Sequence, residues 1–171
     1  MLVIGKAVAG GLPCAVYGFT DALAQRMRNA KQAAPEGHSG IGTTLAGNAL
    51  TLAALHAALT HLHTPATYAP MLALADTLAA GLRALLAAHG LGWSVTQLGA
   101  RMELHFAAQP PRNASEVHHA SQPALDALLH LFMLNRGVLL TPFHTMLLVS
   151  PATALADVQR LLDGFSAFLA V

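Results

Sequence analysis

Apolar positions along this chain change their period several times, and the changes mark its elements. Leu2-Val3-Ile4 is a short apolar run closed by Gly5, which predicts a strand. Residues 14–19 are apolar again and predict the next strand. Thr20-Asp21 offers an N-cap for a short helix over 22–27. Residues 29–42 are polar, contain Pro35, Gly37 and Gly40, and read as a loop. A long helix is expected to open at Thr43-Thr44 and reach about His63. Leu45, Leu52, Leu55, Leu59 and Leu62 recur along it at helical spacing, and Thr64-Pro65 ends it. The next helix is expected over 68–89, with Met71, Leu74, Leu78, Leu82, Leu85 and Leu86 on one stripe and Gly90 as C-cap.

Beyond Gly90 the pattern shortens. Trp93, Val95 and Leu98 suggest a strand. Residues 101–107 alternate Met102, Leu104 and Phe106 with Arg101, Glu103 and His105, the period of a half-buried strand. Residues 110–113 read as a loop and 123–135 as a helix ending near Gly137. Val138-Leu139-Leu140 and 146–149 predict two short strands on either side of Pro142. A last amphipathic helix begins around 154–157, with Val158, Leu161, Leu162, Phe165 and Leu169 inward. Residues 64–171 thus read as a compact α+β unit of order helix–strand–strand–helix–strand–strand–helix. Residues 1–63 show no such unit. The expectation is that they lack sheet partners of their own, which places them at the end of a larger α/β domain.

Composition narrows the function classes. Hydrophobic residues make up 54% of the 171, charged residues 10%, and the formal net charge is +1. This points to a deep core or a large buried interface and gives no electrostatic footing for nucleic acid. Cys14 is the single cysteine, so there is neither a disulfide framework nor a thiolate metal cluster, and a reducing compartment follows. Gly5, Gly10, Gly11 and Pro13 break the opening stretch as an export signal. The apolar region 125–149 is interrupted by His130, Asn135, Arg136, Gly137 and His144, so it does not read as a membrane span. The expectation is a soluble cytoplasmic protein.

Ten histidines raise the question of metal. His61-x-His63 and His118-His119 are close pairs without carboxylate or thiolate partners at ligand spacing, so no metal site is expected. Lys6 is more informative. It is one of two lysines among nine basic residues, and it sits between an apolar run and a glycine turn. A desolvated lysine can lose its proton and capture a carbonyl, which an arginine cannot do. A lysine that follows a strand and snorkels to water meets the same pattern. Residues 42–48, Gly-Thr-Thr-Leu-Ala-Gly-Asn, form a Gly/Thr-rich helix entry. It could hold a phosphate in the field of a helix N-terminus, or simply supply a cap.

Read together, two segments carry a resemblance. Gly5-Lys6-Ala7-Val8-Ala9-Gly10-Gly11-Leu12-Pro13, followed by Gly42-Thr43-Thr44-Leu45-Ala46-Gly47-Asn48, resembles class-III pyridoxal-phosphate aminotransferases, in the branch of glutamate-1-semialdehyde aminomutase and its aminotransferase relatives. Residues 135–142 and 157–169 extend the similarity to the tail. The resemblance implies an α/β fold of type I, present as the end of the large cofactor domain (1–63) and a small C-terminal α+β domain (64–171). It implies pyridoxal 5'-phosphate as cofactor, with Lys6 as the Schiff-base lysine and catalytic base and Thr44 as a contact to the phosphate held by a neighbouring subunit. It also implies small amino and oxo substrates and a homodimer. Ala9, Ala46 and Ala49 depart from the motif glycine, serine and proline. Residues 141–150 lack the glutamate that the aminomutase carries near its substrate, which favours a transaminase over a mutase. Five residues precede Lys6, so the phosphate loop, the ring-stacking aromatic and the aspartate on the pyridine nitrogen are expected outside this chain. The chain reads as a C-terminal portion, expected to be inactive when isolated. A non-catalytic interaction module derived from the family is the alternative.

Overall fold

The computed structural model describes residues 1–38, 42, 45–142 and 144–171. They form two compact units, Met1–Pro65 and Ala66–Val171.

In the first unit, β1 (Leu2–Ile4) pairs antiparallel with β2 (Val16–Gly18), with Leu2 opposite Gly18 and Ile4 opposite Val16. The expectation that this region lacks sheet partners is therefore corrected. The glycine turn folds the chain back on itself, with Gly10 and Gly11 at φ of 65° and 101°, values that a Cβ disfavours. Between the strands a 3-10 turn, Lys6–Ala9, buries Val8 and Ala9. α1 (Asp21–Gln32) starts at the expected cap, where the Thr20 hydroxyl accepts from the Leu23 N–H at 3.4 Å. It runs past the expected end because no glycine or proline intervenes before Pro35, and Gln25 donates to Asn29 Oδ1 one turn on at 2.8 Å.

α2 (Ala49–Ala57) begins later than Thr43. Gly47 takes φ of 72°, which no continuous helix accommodates. The Asn48 side chain then caps the helix by accepting from the Thr51 N–H at 2.9 Å. A single π turn, Ala58–Leu62, follows and buries Ala58.

The second unit holds the main core. α3 (Pro65–Ala88) opens on the proline, which lacks an N–H that a first helical turn would leave unpaired. Its Ala75, Leu78, Ala79, Leu82 and Leu86 are all buried, as the stripe predicts. By length and composition α3 could cross a membrane, yet this stripe lies inside the unit's core. β3 (Ser94–Leu98) and β4 (Arg101–His105) form a hairpin whose two-residue turn uses Gly99 at φ of 57°. β4 alternates as expected, with Met102 and Leu104 buried.

The loop expected after Pro111 contains a further helix, α4 (Ala114–Ala120). Asn113 accepts from the Glu116 N–H at 3.0 Å while Glu116 accepts from the Arg112 N–H at 2.8 Å, which seeds a helix too short and too polar to show periodicity. α5 (Pro123–Leu134) follows, and then β5 (Met146–Leu148) pairs antiparallel with β4, giving sheet order β3-β4-β5. The expected strand over Val138–Leu140 is absent from this sheet. The tail is therefore helix–strand–strand–helix–helix–strand–helix. α6 (Leu155–Leu169) closes the unit. It approaches α3 so closely that a Cβ at Gly81 would lie 2.6 Å from Leu162 Cδ1, and its Phe168 meets Phe132 of α5 edge-on at 5.3 Å.

One buried carboxyl stands out in this unit. Asp126 shares a face of α5 with buried Leu129 and Met133 and is 6% exposed. Burial pushes its pKa up, and the nearby His144 imidazole partly offsets this.

Leu82→Ala should lower the unfolding free energy of this unit by about 3 kcal/mol in urea titrations, the usual cost of a cavity at a fully buried leucine. The exposed Leu98→Ala should stay within about 0.5 kcal/mol. Because the folded state favours protonated Asp126, its contribution to stability should be fully present below the unfolded carboxyl pKa and be lost as pH rises through the folded value. Asp126→Asn should remove this part of the pH dependence and raise thermal stability at pH 7. A parallel pH–stability curve for the two proteins would contradict the assignment.

Candidate functional site

Lys6 stands at the junction of β1 and the 3-10 turn, with φ of 56°. It is the one non-glycine residue with positive φ among those described. The left-handed region brings an L-residue's Cβ towards the carbonyl and costs about 1–2 kcal/mol. Glycine would avoid that strain, so the sequence places a lysine where the backbone favours another residue. The neighbours account for the conformation. β1 pairing fixes the chain up to Ile4, while Val8 and Ala9 are buried two and three residues later. Lys6 has to turn sharply between these two anchors.

The side chain is exposed, and among the described residues no hydrogen bond or ion pair engages its amine. Burial of this amine is therefore not provided by the described residues. Lys31, the other lysine, differs: its Nζ donates to the His38 carbonyl. The strained turn after β1 thus presents a primary amine that no described residue engages. Gly10 and Gly11 have no atom within 4 Å of an added Cβ, so their role here is the turn itself. Thr44, the expected phosphate contact, lies outside the described residues. The helix that follows it is capped by Asn48, so the first free N–H groups of α2 belong to residues after 48.

The second unit carries a polar group of its own. β4 presents Arg101, Glu103 and His105 on the face opposite Met102 and Leu104. Arg101 pairs with Glu103, and His144 Nδ1 lies 3.6 Å from the same carboxylate. His105 Nε2 is 2.9 Å from the Thr96 hydroxyl, and burial lowers its pKa while Glu103 opposes the shift. His144 is also held through its carbonyl, which accepts from the Thr141 hydroxyl, and the next residue's hydroxyl, on Thr145, donates to the Leu104 carbonyl. By sequence, Arg101, Glu103, His105 and His144 read only as polar positions within apolar runs, and Asp126 is missed. Alternation along β4 was a signal for Glu103. For Asp126 the signal was a carboxylate three residues before Leu129 on an otherwise apolar stripe.

Comparison with known proteins bears on both units. The profile of the family described as aminotransferase class-III matches residues 1–169. Glutamate-1-semialdehyde 2,1-aminomutase of an Anaeromyxobacter species is 33% identical over 172 residues, covering 99% of this chain and 38% of that protein. The Herminiimonas arsenicoxydans protein of the same name is 32% identical over 142 residues, covering 83% and 32%. Among solved structures, a lysine-to-alanine variant of a glutamate-1-semialdehyde aminomutase from Pseudomonas aeruginosa PAO1, in complex with PMP, is 45% identical with a TM-score of 0.92. The match covers 98% of this chain and 38% of that one. A β-phenylalanine aminotransferase from Variovorax paradoxus is 28% identical with a TM-score of 0.83, covering 98% and 37%. The matches span 32–38% of the length of these relatives. With the profile matched almost end to end and the fold shared at this level, the chain belongs to the class-III aminotransferases, pyridoxal-phosphate enzymes of fold type I.

Proposed function

We propose that the chain is the lysine-bearing portion of a pyridoxal-phosphate-dependent transaminase that moves an amino group between a small amino compound and a small oxo compound. The observation that carries this reading is the unengaged Lys6 amine, held at positive φ on the β1 turn of a class-III chain. Bound pyridoxal phosphate supplies an aldehyde and an electron-withdrawing ring. Lys6 supplies the amine that holds the cofactor. With the cofactor bound, the Lys6 Nζ would also be the base that moves the substrate proton. The strained turn suits that role, because it limits the directions from which Nζ can reach. Thr44 is proposed as the phosphate contact, across a subunit boundary in a homodimer. The exposed leucines Leu50, Leu52 and Leu59 of the helix after it would contribute apolar area to such an interface. Solution in the cytoplasm belongs to the same proposal.

Glutamate-1-semialdehyde 2,1-aminomutase is the second reading, favoured by the names of the relatives at 32–45% identity. The two differ in what they consume. A mutase isomerises the semialdehyde with no second oxo compound, whereas a transaminase turns over only when an amino donor and an oxo acceptor are both present. Assaying this chain together with a polypeptide that completes the class-III fold, with and without a 2-oxo acid, separates them.

Incubation with pyridoxal phosphate, borohydride reduction and peptide mass mapping should label Lys6 about tenfold over Lys31, reflecting its free amine. Equal labelling of the two lysines would remove the assignment for this chain. Lys6→Gly should abolish the specific adduct and raise the stability of the first unit by up to about 1 kcal/mol, the left-handed strain less the entropy glycine adds to the unfolded chain. Lys6→Ala should abolish the adduct without that gain.

A further inference from the structure

Three elements of the second unit converge on one small cavity of about 80 Å³, and each brings an ionisable group to it. β4 contributes Glu103 and His105, α5 contributes Asp126, and the segment entering β5 contributes His144. α4 lines the same cavity with Val117 and Ala120, which carry no charge. Asp126 is 6% exposed, and among the described residues no hydrogen bond or ion pair engages its carboxyl. The two histidines differ. His105 Nε2 is 2.9 Å from the Thr96 hydroxyl, and burial lowers its pKa against the pull of Glu103, which keeps the ring neutral at neutral pH. His144 Nδ1 instead lies 3.6 Å from Glu103 Oε1, and its charge acts on Asp126 as well. Glu103 is held on its other side by Arg101.

The backbone around His144 is fixed. Its carbonyl accepts from the Thr141 hydroxyl and from the Met146 N–H, the latter at 2.9 Å. The next residue, Thr145, bonds to the Leu104 backbone through both its hydroxyl and its carbonyl. The imidazole is thereby placed to act on a carboxyl of each of the other two elements. β5 is three residues long, and its pairing with β4 begins with Met146 opposite Glu103. Few ladder bonds hold so short a strand, so a charge pair at its entry is a large share of what keeps it closed.

We propose that Glu103, Asp126 and His144 form a pH-sensitive latch on the entry to β5. With the His144 ring protonated, both carboxylates attract it, and together with Arg101 the cluster balances two positive groups against two negative ones. When the ring loses its proton, Arg101 alone faces the two carboxyls, one of which is buried. The attraction that fastens the entry to β4 and α5 is then lost, and residues 144–146 open locally. Burial pushes the Asp126 pKa up while the imidazole opposes it, so the carboxyl's own contribution has the same sign, present at lower pH and lost as pH rises. The latch lies wholly in the second unit and is independent of Lys6.

Amide exchange of this full chain, read by mass spectrometry and corrected for the intrinsic pH dependence of exchange, tests the latch. Peptides covering 144–148 should be about tenfold more protected at about pH 5.5 than at about pH 8, the span over which imidazole titrates. Peptides within the buried stripe of α3 should keep the same protection at both. Asp126→Asn and His144→Gln should each bring the ratio at 144–148 to within about twofold of one. Glu103→Gln should reduce it about threefold, because one carboxylate remains. His89→Gln, at an exposed histidine outside the cavity, should leave it unchanged. Sodium chloride at about 1 M should shrink the wild-type ratio about threefold, because a partly exposed charge pair is screened, and this readout stands even where a variant fails to fold. A wild-type ratio near one would overturn the latch, as would a ratio that persists in His144→Gln or is indifferent to salt. An equal change across α3 would also overturn it, since the effect would then be one of global stability.

Discussion

The second unit depends on one packing relation, the burial of the α3 stripe in the same core as the alternate residues of β4. Ala75, Leu78, Ala79, Leu82 and Leu86 recur at the helical period, Met102 and Leu104 at the strand period, and all are buried together. That pairing decides which face of the hairpin points outward. Arg101, Glu103 and His105 are brought together on the outer face because their neighbours are committed to the core. The small residues of α3 matter as much as the large ones. Gly81 admits Leu162, so α6 settles closer to α3 than any side chain at that position would allow.

In the first unit the governing constraint is the turn at Lys6. Pairing of β1 with β2 on one side and burial of Val8 and Ala9 on the other leave the residue between them a left-handed backbone. A residue held at that conformation by its surroundings has a restricted reach and a fixed origin. Among the described residues nothing engages the Lys6 amine, while the chain's other lysine is tied to a backbone carbonyl.

Long, strongly periodic elements were legible in the residues. The α3 and α6 stripes, the β3–β4 hairpin and the Gly90 stop all follow from spacing that a helix or a strand imposes. Short polar elements were not. α4 exists because Asn113 accepts from the Glu116 N–H while its side-chain amide donates to the Glu116 carboxylate, a signal of two residues within a stretch that otherwise reads as loop. The start of α2 was misplaced because Thr43-Thr44 resembles a cap, whereas Gly47 and Asn48 make the real one. Val138-Leu139-Leu140 misled in the opposite direction: its composition suits a strand, but strand formation requires a partner's backbone.

The sequence by itself determined the family and the position of the amine, because the Gly-Lys and Gly/Thr motifs are local and need no fold to be read. It also determined the main core stripe, since helical periodicity is a property of consecutive residues. Tertiary structure alone decided that Lys6 is strained and, among the described residues, unengaged, and that Asp126 is buried near His144. Each of these depends on residues far apart in the chain, and no pattern of neighbours along the sequence encodes such distances.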